Sequence, residues 1–287
     1  MVRSLSGGRD ALMNVVVDYV RQLIIRYHDD DLAAMSAQVT YYLILAFFPF
    51  LFFLLHVLSF TPLPQRLLMV NINLLLPTET AALVRQIVEQ TVQAKSAAAL
   101  ALGMLTSLWA ASRGMTALVR GLNHSYGVKE NRRFLGRNLV AFLAIIGLSG
   151  MIVLSFVMVV LGRVIGAYVF SLAGDSWLFY AVWYFVRYGI TLALMLVTFY
   201  LLYRYLPNRR LPLRHLVAGT LFTTLGWVAA SLLFSFCVNN FVRYELVYGS
   251  LGGIFALIVW LYMSTLIFLL GGELNAISYD FGRHGRR

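Results

Sequence analysis

Six long apolar runs divide the chain and constrain its fold more than any other feature. Each is long enough to cross the hydrocarbon core of a bilayer as a helix, which takes about 20 apolar residues. Charged residues make up only 12% of the chain, about half of the ~25% typical of soluble domains, so a soluble fold is excluded. The sequence therefore predicts an all-α, polytopic membrane protein with six transmembrane helices. The runs are Val39–Phe60, Ala97–Val119, Asn138–Gly162, Leu178–Tyr203, Leu213–Val238 and Gly249–Glu273.

The positive charges between these runs alternate in density. Of the 23 Lys and Arg residues, 17 lie in the N-terminal tail, in 113–137, in 204–214 and in the C-terminal tail, whereas 5 lie in the intervening connections and one, Arg187, lies within a run. Short loops rich in Lys and Arg stay on the cytoplasmic side of a membrane. The alternation therefore predicts that both termini are cytoplasmic. The net charge of +11 follows from this topology, so it does not indicate a nucleic-acid partner.

The segments outside the six runs define the expected domain organisation. Residues 1–30 form a predicted cytoplasmic amphipathic segment, and residues 31–276 form the transmembrane domain, which includes an external helical segment at 61–96. Residues 277–287 form a basic cytoplasmic tail. The first segment has an apolar helical face, which predicts a helix lying at the membrane interface. The residues of that face are Leu12, Val16, Tyr19, Leu23 and Tyr27.

Arg187 is the most informative single residue, because it lies within the fourth apolar run. Nine residues of helix place it about 13.5 Å deep, near the middle of a ~30 Å hydrocarbon core. An arginine at that depth costs several kcal/mol unless it faces a partner or water. Tyr184 and Thr191 share its helical face, and Tyr188 adjoins it. We expect this set to bind an anionic substrate in a cavity; a structural ion pair and snorkelling to the outer surface are the alternatives.

Arg113 and Glu273 form a second predicted site. The second run descends toward the inside of the membrane and the sixth run ends there, so the two side chains lie at matching depths. Asn275 adds hydrogen-bonding capacity beside them. These three residues are candidates for contacting a substrate, and the alternative, which we favour, is a structural clasp between two helices.

The remaining special positions predict no catalytic chemistry. Pro49 lies in the middle of the first run and kinks it, either as a hinge or as a packing shape. The acidic run at 29–31 precedes a helix, which favours helix capping over a metal site. The sequence has no nucleotide-binding, zinc-protease or serine-hydrolase motif. We therefore expect a protein that is not an enzyme and that holds no cofactor and no metal.

Four stretches of the chain carry a family pattern. The most specific is Tyr248–Ala276, which contains Tyr248-Gly249-Ser250 and Gly272-Glu273-Leu274-Asn275-Ala276. The other three are Ala37–Leu51, Leu108–Tyr126 and the basic turn Arg132–Arg137. Together they resemble the YihY/BrkB family of bacterial inner-membrane proteins over nearly the whole chain. Ala46 departs from the family, in which a serine often stands before the Phe-Pro step.

The resemblance implies six helices in a bacterial inner membrane with both ends cytoplasmic. The family long carried the name ribonuclease BN, an attribution now regarded as mistaken, and its members have been associated with serum resistance and with export of lipidic molecules. We therefore expect a protein that translocates or presents an anionic amphiphile, such as a phospholipid or a lipopolysaccharide precursor, without an ATP site of its own. The expected partners are membrane lipids and envelope lipid-transport proteins. The alternatives are a non-transporting scaffold for envelope assembly and a membrane-bound enzyme.

The charge pattern predicts a topology that labelling tests directly. Single cysteines placed in 124–136, 206–212 and 283–287 should react with a membrane-impermeant reagent only after the cytoplasmic side is opened. Cysteines in 64–95 should react in intact cells. External labelling of 124–136 would overturn this topology, because that turn lies in the densest basic cluster.

Overall fold

The computed structural model describes residues 17–60, 97–133, 136–152, 154–155, 177–241 and 252–284. These parts are almost entirely helical and contain no strand. A short 3₁₀ turn, Leu213–His215, precedes the sixth helix. In chain order the helices are α1 (17–29), α2 (Leu32–Phe60), α3 (Ala97–Ser125), α4 (Gly136–Ile152), α5 (Trp177–Tyr205), α6 (Val217–Phe241) and α7 (Gly252–His284).

The all-α membrane fold predicted from the sequence is confirmed. Each of the six apolar runs falls on one of the helices α2 to α7 over the residues described. Among those residues, three helical stretches are long and apolar enough to cross a membrane, namely Val182–Tyr205, Leu213–Cys237 and Gly253–Arg283. Two shorter apolar helical stretches are Leu32–Phe47, which is the first part of α2, and Gly136–Ile152, which is α4. The predicted external segment at 61–96 lies outside the described residues.

The outer surface of α5 and α6 has the character of a surface in contact with lipid. Phe185 is 75% exposed, Leu232 67% and Leu225 60%. Soluble proteins rarely expose continuous apolar surface of this kind. In a bilayer the same side chains contact acyl chains, which removes the cost of their exposure to water.

The chain divides into two compact units. The larger unit comprises Met1–Thr40 and Met115–Arg287, and the smaller unit comprises Tyr41–Gly114. In the smaller unit α2 continues through Pro49 as helix, so a kink or hinge at Pro49 stays a prediction. Helix α1 and most of the polar side chains discussed below belong to the larger unit.

Helix α1 packs against the C-terminal end of α7 within the larger unit. The ring of Tyr19 lies 4.9 Å from the ring of Phe281, and Tyr27 packs against the core. Asp31, with φ of 51°, turns the chain from α1 into α2. The predicted apolar face of α1 therefore contacts protein at these two tyrosines, whereas Leu12 and Val16 lie outside the described residues. A different row of apolar side chains, Val17, Val20 and Ile24, is exposed.

Tyr203 joins three helices in the core of the larger unit. Its hydroxyl group donates to the carbonyl oxygen of Phe268 on α7 at 2.6 Å and contacts the hydroxyl group of Thr223 on α6. Its ring stacks on the ring of Phe268 with centroids 4.8 Å apart. A fully buried tyrosine needs partners for its hydroxyl group, and here those partners fix α5 against α6 and α7.

Helices α6 and α7 cross at two glycines that allow the backbones to approach closely. A Cβ atom at Gly219 would meet the carbonyl oxygen of Gly271, and one at Gly271 would meet the hydroxyl groups of Thr223 and Tyr203. Small residues at such crossings are typical of helix packing in membranes. The crossing brings Asn275 to the start of α6, where its amide oxygen accepts from the N–H of Gly219 at 2.8 Å. This bond satisfies one of the free N–H groups of the first helical turn.

The close crossing predicts that Gly271→Ala destabilises the protein. The added methyl group has no room, and overpacking of this kind costs about 1–3 kcal/mol. Gly253→Ala on the same helix is the matched control, because a Cβ atom there meets nothing within 4 Å. The measurement is the midpoint of thermal unfolding in detergent. An equal midpoint for the two variants would contradict the close crossing.

Candidate functional site

A groove of about 680 Å³ lies between α4 and α5 in the larger unit. Its volume falls within the range of ~300–1,000 Å³ that is usual for pockets holding small organic ligands. One wall consists of positions on α4 spaced as a single helical face, and the other consists of such positions on α5. The wall residues are Val140, Leu143, Ala144 and Gly147 on α4, with Thr198, Leu201, Leu202 and Tyr205 on α5.

One end of this α4–α5 groove is basic. Arg132, Asn208 and Arg210 line it beside Leu206 and Pro207, and none of the lining residues described is acidic. The guanidinium of Arg210 lies 5.7 Å from the centre of the Tyr205 ring. We call this part of the groove the arginine end. An apolar trough with cationic groups at one end has the polarity of an anionic amphiphile.

Arg132 is held rigidly at the arginine end. Its Nη2 donates to the carbonyl oxygen of Leu206 at 2.7 Å, and its Nε donates to Oδ1 of Asn208 at 3.1 Å. The carboxylate of Glu130 lies 3.3 Å from the same Nε. Nη1 is buried and has no hydrogen-bond acceptor among the residues described. An unsatisfied buried donor of a charged group costs about 1–3 kcal/mol or more.

The groups that hold Arg132 are themselves fixed by hydrogen bonds. The amide of Asn123 donates to Oε2 of Glu130 at 2.8 Å, and the backbone N–H of Asn208 donates to Oδ1 of Asn123 at 2.7 Å. The amide of Asn208 donates to the carbonyl oxygen of Lys129 at 3.0 Å. These bonds join the end of α3 to the loop after α5. The guanidinium is thus set in place before any ligand arrives.

A second polar cluster surrounds Glu273 where α1 contacts α7. The Glu273 side chain is fully buried, and its Oε2 atom lies 3.4 Å from Nη1 of Arg26. The other terminal nitrogen of Arg26 contacts Asp280 at 2.7 Å. Arg26 also donates to the carbonyl oxygen of Ser125 at 3.4 Å. One guanidinium on α1 therefore links α1 to α3 and to α7.

A cavity of about 310 Å³ adjoins this cluster. Asp30 and His124 face each other there, with His124 Nε2 3.2 Å from Asp30 Oδ1. Burial raises the pKa of the Tyr126 hydroxyl group above its ordinary value. The cavity is lined by Arg26, Asp29, Asp30, His124, Ser125, Tyr126, Gly127, Arg209, Leu211, Ala276, Tyr279 and Asp280.

Arg187 lies within α5, and 7% of the surface of this residue is exposed. Its guanidinium lies 5.2 Å from the centre of the Tyr188 ring, and its carbonyl oxygen accepts from the Thr191 hydroxyl group at 3.1 Å. Tyr184 is exposed, and its ring lies 4.6 Å from the ring of Tyr188. The four residues predicted as a set are therefore neighbours. A role in substrate binding stays a prediction.

The residues of the second predicted site belong to different units. In the smaller unit the Arg113 guanidinium lies 5.5 Å from the centre of the Trp109 ring. In the larger unit Glu273 contacts Arg26, and Asn275 caps α6. The predicted pairing of Arg113 with Glu273 and a contact of Asn275 with substrate stay predictions.

Sequence reasoning missed the groups that build the two polar clusters. In the sequence Arg26 stands out only as one of the basic residues of the N-terminal tail, and Arg132 only as one of the basic loop residues and the start of the turn Arg132–Arg137. The frame around Arg132 is drawn from polar residues of the connections that follow the second and fourth apolar runs, namely Asn123, Glu130 and Asn208. Of the acidic run at 29–31, Asp30 contacts His124. The part of the chain that the structure describes contains no group of side chains suited to a metal ion.

Long apolar helices, exposed apolar side chains and few charges define an all-helical membrane protein. Comparison with known families gives a further assignment. The model of the family described as Virulence factor BrkB matches residues 23–286. The chain belongs to this family, which confirms the resemblance seen in the sequence.

Relatives of the chain carry general names. It is 37% identical to the ribonuclease-like protein YfkH of Bacillus subtilis over 261 residues, which are 91% of this chain and 95% of that protein. A UPF0761 membrane protein of Alkalilimnicola ehrlichii is 28% identical over 282 residues, which cover 95% of this chain and 61% of the relative. A UPF0761 membrane protein of Chromohalobacter salexigens is 27% identical over 271 residues, 92% of this chain and 64% of the relative. No solved structure matches the chain.

The contact between Arg26 and Glu273 predicts strong non-additivity in stability. Arg26→Gln leaves the buried carboxylate without its cation; because the Arg26 side chain is 25% exposed, we expect a loss of about 1–3 kcal/mol, below the ~3–5 kcal/mol of a fully buried pair. The double variant Arg26→Gln/Glu273→Gln should lose less than the sum of the two single variants, as measured by thermal unfolding in detergent.

Asp280→Asn is the control for this comparison. Asp280 also contacts Arg26, but its side chain is 45% exposed, so we expect a loss of about 1 kcal/mol or less. Strictly additive losses for Arg26 and Glu273 would show that the two charges are not coupled.

Proposed function

We propose that the protein binds an anionic amphiphile in the α4–α5 groove and moves or presents it at a bacterial inner membrane, with both termini cytoplasmic. A phospholipid and a lipopolysaccharide precursor are the amphiphiles considered. The observation that supports the proposal is the polarity of the groove, which combines apolar walls with two arginines and no acidic lining residue among those described. A soluble anion would not need the apolar walls, and a neutral apolar ligand would not need the arginines.

The geometry of α5 connects this groove with Arg187. At 100° per residue, Thr198 and Tyr205 lie on nearly the same helical face as Arg187, about 16 Å and 27 Å farther along the axis. Thr191 lies between Arg187 and Thr198 on that face. An anionic headgroup that follows this face would pass from the arginines at one end of α5 to the arginine near its middle. This arrangement favours movement over simple storage.

The sequence contains no ATP site, so an ion gradient, a partner protein or the gradient of the substrate would supply the driving force. The name of the Bacillus relative points to nucleic-acid cleavage by that protein, but apolar walls suit a lipid chain and not an RNA strand. A non-transporting scaffold in envelope assembly is the competing function. It predicts specific partner proteins and no exchange of lipid.

Blocking the groove tests the proposal. Gly147 lines the groove, and a Cβ atom at this position meets nothing within 4 Å, so Gly147→Phe should fill the groove without disturbing the backbone. We expect exchange of labelled anionic lipid between leaflets of reconstituted liposomes to fall to the rate of empty liposomes. Arg187→Gln should also slow exchange, and Arg187→Lys should slow it less, because the charge is kept.

Gly150→Phe is the matched control, because Gly150 lies one turn farther along α4, is not a lining residue and has equal space around it. It should exchange lipid as the unchanged protein does. If the unchanged protein gives no exchange above empty liposomes for any anionic lipid, the scaffold function replaces transport.

A further inference from the structure

We propose that the arginine end of the α4–α5 groove is a phosphate site, at which Arg132 binds the phosphate of an anionic glycerophospholipid whose acyl chain lies between α4 and α5. The inference rests on the proposed function and deepens it, because it names the ligand class and the group that recognises it. Arg210 supplies the second positive charge.

The first support is the pre-organisation of Arg132. Leu206, Asn208 and Glu130 hold Nε and Nη2 of the guanidinium. A flexible arginine loses side-chain entropy when it binds a ligand, whereas one that is already fixed does not. The frame that includes Asn123 therefore acts as a positioning device for Arg132, and Arg132 itself is the contact group.

The second support is a nitrogen that this frame leaves without a protein acceptor. Nη1 of Arg132 is buried and lacks a protein acceptor within the described part of the chain. It belongs to a residue that lines the groove. Guanidinium N–H groups form short, strong hydrogen bonds with phosphate oxygens. An oxygen at the arginine end that displaced the atoms covering Nη1 would satisfy this donor.

The third support is charge complementarity. Glu130 offsets part of the charge of Arg132, so the exposed Arg210 determines the sign of the arginine end. A zwitterionic lipid would bring an ammonium group close to Arg210, with no acidic lining residue described to receive it. An anionic lipid meets no such repulsion. The groove should therefore prefer anionic to zwitterionic phospholipids.

Phosphate fits this site better than carboxylate does. A phosphate group offers several oxygens in a tetrahedral arrangement, so it accepts from Arg132 and Arg210 at once. A carboxylate offers two oxygens in one plane and sits directly on its alkyl chain. A fatty acid therefore offers fewer acceptor oxygens to the two arginines than a phospholipid does, and we expect it to bind less tightly.

Lipid binding to the purified full chain tests the site. Native mass spectrometry measures the affinity of the protein for an anionic phospholipid, a zwitterionic phospholipid and a fatty acid, namely phosphatidylglycerol, phosphatidylethanolamine and oleic acid. We expect phosphatidylglycerol to bind most tightly. Arg132→Gln should weaken phosphatidylglycerol binding about ten- to a hundredfold, the effect typical of losing a hydrogen bond between charged groups. It should also weaken the poorer binding of phosphatidylethanolamine, which carries the same phosphate, and change oleic acid binding little.

Arg133→Gln is the matched control, because it removes the same charge from the next residue, which does not line the groove. It should change phosphatidylglycerol binding less than about twofold. Arg132→Lys keeps the charge but not the planar fork, so an intermediate affinity is expected. If Arg132→Gln does not fold, Arg210→Gln provides the test, since Arg210 is exposed, and it should weaken only phosphatidylglycerol binding.

Three outcomes would overturn the site. One is equal binding by the Arg132 and Arg133 variants, and another is an equal loss for oleic acid and phosphatidylglycerol. The third is unchanged lipid binding by Gly147→Phe, which would mean that lipid binds elsewhere. Selective phosphatidylglycerol binding without exchange in liposomes would instead remove transport and leave the phosphate site in place. Lipid exchange that does not depend on Arg132 would instead remove the phosphate site and leave transport in place.

Discussion

The close crossing of α6 and α7 is the contact on which the rest of the larger unit depends. Because Gly219 and Gly271 have no side chains, the two backbones approach closely enough for Tyr203 to bond to both helices. The same approach lets Asn275 cap α6. Tyr203 fixes the inner face of α5, and the opposite face of α5 then forms a wall of the groove. The site is thus held in place by packing on the far side of its own helix.

The basic loop residues have two proposed tasks in this protein. The basic loops set the predicted topology, and Arg132 and Arg210 of the same loops line the groove. What distinguishes Arg132 from its neighbour Arg133 is the frame around it, in which Asn123, Glu130 and Asn208 share hydrogen bonds. In the proposed function, a loop arginine that is held in this way binds the ligand, whereas a solvated arginine contributes only to the electrostatic potential.

Much of the fold was predictable because membrane insertion leaves few options. Apolar runs of about 20 residues form helices in a bilayer, where the backbone must satisfy its own hydrogen bonds. The site was predictable only in part. Depth along one helix and helical periodicity single out Arg187 with Tyr184, Tyr188 and Thr191, but none of these four residues lines the groove, and their role in binding stays a prediction. The partner of Glu273 was not predictable, since Arg26 is 247 residues away in sequence and the two meet only when α1 packs on α7.

The sequence by itself determined the class of the protein, its helical runs, its charge asymmetry and its family. These properties depend on composition and on order along the chain, and both the bilayer and the helix respond to them locally. Tertiary structure alone decided which charges meet and where a cavity opens. Whether a polar group is partnered depends on side chains brought together from distant segments. That is why Arg132, an ordinary loop arginine in the sequence, lines a groove that is walled by two helices.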